Sequence, residues 1–71
     1  MVEKYFNSNG LFWQTIIKIE DGEILIFKNN ESHPFYYFNE SEWDMRLQEH
    51  MADKNWFTQE MAYFISQNIE P

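Results

Sequence analysis

The chain contains no cysteine, two glycines, two prolines and only five basic side chains. Each scarcity excludes something. Without cysteine there is no disulfide framework, no thiolate metal ligand and no thiol nucleophile. The two glycines fall in the dipeptides Asn9-Gly10 and Asp21-Gly22, so no glycine-rich loop is available to cradle phosphate. The lack of Gly and Pro, together with 44% apolar residues, argues against disorder. Five Lys and Arg against twelve Asp and Glu leave a formal net charge of −7. Nucleic-acid affinity comes largely from cations that neutralise phosphates, so direct binding to DNA or RNA is disfavoured.

Long apolar runs are also absent. None approaches the ~20 residues that span a membrane. Met1-Val2-Glu3-Lys4-Tyr5 lacks the basic and apolar regions of a secretory leader, so a cytoplasmic location is expected. The triplets Asn30-Glu31-Ser32 and Asn39-Glu40-Ser41 then have no context in which to act as glycosylation sites.

What the chain does have is aromatic side chains: seven Phe, four Tyr and three Trp, a fifth of its 71 residues. Each buries about 150–250 Å², which makes this a chain built to pack. Its length fits one domain, residues 1–71, near the lower limit for a self-sufficient core. Aromatic density and self-association are the two remaining sources of extra stability.

Turn chemistry organises the first half. Asn-Gly and Asp-Gly between apolar runs are strong hairpin signals, because Gly, Asn and Asp tolerate positive φ. Asn9-Gly10 and Asp21-Gly22 therefore predict a three-stranded antiparallel meander. A polar loop closed by Pro34 follows. Phe35-Tyr36-Tyr37-Phe38 is either a short fourth strand or an extended segment lying against the sheet.

The second half reads as two helices. Asn39 is an N-cap with Glu42 placed to reach back, and Phe38 and Trp43 are spaced for a hydrophobic staple. Trp43, Leu47 and Met51 form one stripe, with His50 at its border. Asp53-Lys54-Asn55 interrupts it. Thr58 caps a second helix whose stripe is Met61, Phe64, Ile65 and Asn68 or Ile69. The expected fold is a small α+β domain, an antiparallel meander with two C-terminal helices packed on one sheet face.

Two-residue turns fix a register. Asp21-Gly22 sets Glu20 opposite Glu23, Ile19 opposite Ile24, Ile17 opposite Ile26 and Ile16 opposite Phe27. Asn9-Gly10 sets Phe6 opposite Trp13 and Tyr5 opposite Gln14. Alternation then places Phe6, Trp13, Ile17, Ile19, Ile24 and Ile26 on the face that receives the helices. The other face carries Tyr5, Phe12, Ile16, Leu25 and Phe27 among polar residues, more apolar than a solvated sheet face should be. Its cover is expected to be residues 35–38, a second copy of the chain, or a partner protein.

Catalytic and metal signatures are missing. His33 and His50 lack the three or four spaced ligands that zinc requires. Glu42 and Arg46 stand at i, i+4 as a helix-surface ion pair. No serine sits in a nucleophile elbow. No cofactor is implied and an enzyme is not expected. The expected role is a protein–protein interaction or regulatory module, homodimeric or with a foreign partner, using Tyr5, Phe12, Ile16, Leu25 and Phe27. The alternative is an acidic inhibitor, phage-encoded for example, in which Glu40, Glu42, Asp44, Glu49 and Asp53 imitate phosphates before a nucleic-acid-handling protein.

Overall fold

The computed structural model describes residues 1–7, 13–29, 31–49 and 51–69. Four strands, β1 (Val2–Phe6), β2 (Thr15–Glu20), β3 (Glu23–Lys28) and β4 (Tyr36–Asn39), form one antiparallel sheet in the order β1-β2-β3-β4. A 3₁₀ turn (Glu40–Glu42) leads into helix α1 (Trp43–Glu49). A second 3₁₀ turn (Met51–Asp53) precedes helix α2 (Gln59–Asn68). The α+β class with a meander and two following helices is as the sequence predicts.

The β2–β3 hairpin has the expected register throughout, from Glu20 opposite Glu23 to Ile16 opposite Phe27. Asp21 and Gly22 both take positive φ, 51° and 78°, which is the type I′ geometry that Asp-Gly favours. The β1–β2 register differs from expectation. Phe6 pairs with Thr15 and Tyr5 with Ile16, instead of Phe6 with Trp13 and Tyr5 with Gln14. The Asn9-Gly10 turn lies outside the described residues. Gln14 extends the β2–β3 ladder by one pair: its N–H donates to Asn29 Oδ1 (2.8 Å), and the Asn29 N–H donates to the Gln14 carbonyl (2.6 Å). Trp13 meets Phe35 edge-on at 6.4 Å. The shift is two residues, an even number, so the paired side chains of β1 and β2 keep their expected faces.

The core lies between the sheet and the helices. Phe6, Ile17, Ile19, Ile24, Ile26 and Phe38 meet Trp43, Met51, Trp56, Met61 and Ile65, all buried, with Trp13, Leu47, Phe64 and Ile69 packed around them. Both helix stripes thus face inward as predicted, while Asn68 stays exposed and donates to the Phe64 carbonyl. Thr58 caps α2 by accepting the Met61 N–H at 3.3 Å. Glu42 accepts the Asn39 N–H at 3.0 Å. Among the described residues no helix is long and apolar enough to cross a membrane.

Residues 35–38 do not cover the far sheet face. Tyr36–Asn39 pairs with the edge of β3, and the Phe35 N–H donates to the Ile26 carbonyl at 2.9 Å. Pairing satisfies backbone groups along that edge, which lying across side chains would not do. Tyr36 and Phe38 then point to the helices, and Tyr37 adds to the far face.

Candidate interaction surface

Opposed residues in a ladder share a face, so the register resolves the far side of the sheet into three transverse rows. One is Tyr5, Ile16 and Phe27; the next is Glu3, Lys18, Leu25 and Tyr37; the last is Glu20, Glu23 and Asn39. Four of the five residues expected to bind a partner, Tyr5, Ile16, Leu25 and Phe27, lie together here. Phe12 is outside the described residues.

They are not equally available. Ile16 and Phe27 are only 5% and 8% exposed, and Leu25 is half-buried. Lys18 contributes by resting its ammonium 5.0 Å from the Phe27 ring centroid while approaching Glu3 at 4.0 Å. The apolar groups the face offers outward are Tyr5, 54% exposed, Tyr37, 63% exposed, and the half-buried Leu25. Tyr37 is not among the residues expected on this face, because the sequence leaves residues 35–38 either a strand or a cover. The alternation of Tyr36, Tyr37 and Phe38 in a paired strand is the signal that finds it.

The acidic residues divide differently. Asp44 and Asp53 are exposed on the helical side, and Glu49 closes α1. Glu40 is half-buried, its N–H donating to the Gly22 carbonyl at 2.8 Å. Glu42 is committed to structure. The Asn39 N–H lowers its pKa, partial burial opposes that, and Arg46 at 3.2 Å lowers it further. Arg46 in turn donates to the Tyr36 hydroxyl at 3.2 Å. Desolvation acts to lower the Arg46 pKa, but Tyr36 and Glu42 outweigh it, and the net shift is upward.

All five cations of the chain sit over aromatic rings. Lys4 lies 5.5 Å from the Phe6 centroid and Lys28 4.4 Å from that of Trp13. Lys54 and Arg46 lie 5.4 and 5.8 Å from that of Tyr36, and Lys18 completes the set. The positive charge is therefore used to pack rings. Among the described residues only Glu3 and Glu42 have a cation within 4.0 Å, so the acidic exterior is largely uncompensated.

Two open depressions flank the start of α2. One, of about 420 Å³, is lined by Phe6, Asn7, Thr58, Gln59 and Glu60. The other, of about 300 Å³, is lined by Leu47, Met51, Phe57, Thr58, Gln59 and Ala62. Among the described lining residues the one hydroxyl is that of Thr58, which is engaged as the α2 cap. Among the described residues no three His, Cys, Asp or Glu converge as metal ligands. His33 is exposed in the loop, and His50 lies outside the described residues. No known protein family matches this chain, and neither a curated protein nor a solved structure does.

Proposed function

We propose that this protein is a non-enzymatic, cytoplasmic interaction module whose binding surface is the sheet face opposite the helices. The observation that carries the reading is the exposure of Tyr5 and Tyr37 at the two edge strands, with Leu25 next to Tyr37. Tyrosines on rigid strands present large contact area at small entropic cost, and aromatic residues are enriched where interfaces form. A foreign protein or a second copy of the chain could occupy such a face.

The test is size-exclusion chromatography with light scattering across concentration and salt, alongside capture from lysate, on wild type and Tyr5→Ser/Tyr37→Ser. Both positions are exposed, so the double variant retains the wild-type circular dichroism. Loss of a dimer or of a captured partner supports the reading. Unchanged assembly and capture would sink it.

A second reading is favoured by the placement of every cation on a ring. That arrangement leaves the exposed Asp44 and Asp53 to meet the basic groove of a nucleic-acid-handling protein, and Glu49 ends the helix that carries Asp44. Glu42, held by Asn39 and Arg46, serves that reading least. Its signature is binding that weakens steeply with salt and fails in Asp44→Asn/Asp53→Asn while surviving the tyrosine changes.

A further inference from the structure

The far sheet face is small and acidic, and both properties bear on what it can hold. Four strands about 4.8 Å apart, none longer than six residues at about 3.4 Å each, give roughly 400 Å² of projected area. A stable globular interface buries about 800 Å² on each side. A footprint of this size suits one extended segment better than a folded domain.

Charge points the same way. Glu3, Glu20 and Glu23 share the face with a single cation, Lys18, which Glu3 and the Phe27 ring already engage. Glu20 stands directly opposite Glu23, both exposed, an unfavourable like-charge pairing. Among the described residues neither has a cation within 4.0 Å. A second copy would bring the same acids to this surface, and a net −7 besides.

We propose that the face binds an extended, basic segment of another protein. This deepens the interaction reading above and rests on it. Side chains at i, i+2 and i+4 of an extended chain recur about every 7 Å, the spacing of the three rows. A basic side chain at i would lie between Glu20 and Glu23. Apolar side chains at i+2 and i+4 would rest on Leu25 and Tyr37, then beside Tyr5. The cation relieves the Glu20–Glu23 repulsion and the tyrosines supply apolar contact, so recognition has an electrostatic and a hydrophobic part.

The experiment is an amide NMR titration with a short synthetic peptide carrying arginine at i and leucine at i+2 and i+4, beside versions with glutamine or glutamate in place of arginine. The expected result is perturbation centred on Glu20, Glu23, Leu25 and Tyr37, tightest for the arginine peptide. Glu20→Gln/Glu23→Gln should weaken it about five- to tenfold. That variant removes a repulsion, so folding is preserved. Perturbation centred on Asp44 and Asp53, no perturbation at all, or unchanged affinity in Glu20→Gln/Glu23→Gln would overturn the proposal. If the glutamine peptide binds the same rows equally well, the face is an interaction surface but its partner is not basic. If light scattering shows a dimer that Tyr5→Ser/Tyr37→Ser dissolves, the interaction reading stands and the basic segment falls. If the tyrosine variant changes no assembly or capture, the interaction reading itself fails.

Discussion

Phe38 and Trp43 stack with centroids 5.9 Å apart and planes inclined by only 9°. They bracket the Asn39–Glu42 cap, so the contact that closes the sheet also aims the first helix. Trp43 is 4% exposed, meets Phe57 edge-on at 6.2 Å, and donates its indole N–H to Ser66 Oγ on α2 at 3.2 Å. One side chain thereby ties β4, α1, the Lys54–Thr58 linker and α2 together. Trp43→Ala should cost about 3–5 kcal/mol, and domains hold only about 0.05–0.15 kcal/mol per residue. Urea unfolding of Trp43→Ala should show a native baseline that is short or missing. Ser66→Ala, which removes only the hydrogen bond, should cost about 1 kcal/mol. Equal losses for the two would mean the stack contributes little.

Glu42 makes stability depend on acidity in a definite direction. Its carboxyl titrates below its ordinary value of 4.5 in the folded chain, because the ionised form accepts the Asn39 N–H and faces Arg46. A carboxyl with a depressed folded pKa contributes stability that is present above 4.5 and lost as pH falls through the folded value. Urea midpoints of wild type and Glu42→Gln should therefore differ at neutral pH and converge below the folded pKa. A gap that persists at the lowest pH would place the effect in packing instead of charge.

The elements legible in the sequence were those fixed by neighbours along the chain. Asp21-Gly22 specifies its own turn, Thr58 its own cap, and Phe38, Asn39, Glu42 and Trp43 a helix start whose parts lie within six residues. The helix stripes of Trp43, Leu47, Met61 and Ile65 follow from periodicity. The β1–β2 register was not legible, because Gln14 is held by Asn29 and Trp13 by Phe35, contacts between residues distant in sequence. The burial of Trp56 belongs to the same class. It meets Phe35 at 5.0 Å, Tyr36 at 5.8 Å and Phe57 at 5.8 Å, and only Phe57 adjoins it in the chain. For the candidate surface, parity placed Tyr5, Ile16, Leu25 and Phe27 on one face. How much each is covered depends on tertiary neighbours such as Lys18.

Lys28 tests whether the cations serve the rings. It lies 4.4 Å from the Trp13 centroid and 5.1 Å from that of Phe35, on the strand position opposite the buried Thr15. Lys28→Met keeps most of the aliphatic stem and removes the charge. A half-buried cation over an indole is worth about 0.5–2 kcal/mol, so the variant should unfold earlier in urea by that amount. The deficit should persist in high salt, where surface ion pairs are screened but a ring contact is not. An unchanged midpoint would reduce the Lys28–Trp13 pair to incidental proximity.

Gly22 isolates a backbone effect from a steric one. Its φ is +78°, and a Cβ added there would meet only the Glu40 carboxyl carbon, at 3.9 Å. There is room for the methyl group, so the penalty of Gly22→Ala is conformational. It should be about 1–2 kcal/mol, the cost of holding an L-residue in the left-handed region. Gly22→Asn should lose less, because Asn tolerates that conformation better. Urea unfolding should rank wild type above Gly22→Asn above Gly22→Ala. If alanine proved as stable as glycine, the Asp21-Gly22 turn would have to relax to another type. The Glu20–Glu23 register beside it would then shift, moving those two carboxylates off the sheet row where a basic segment would meet them.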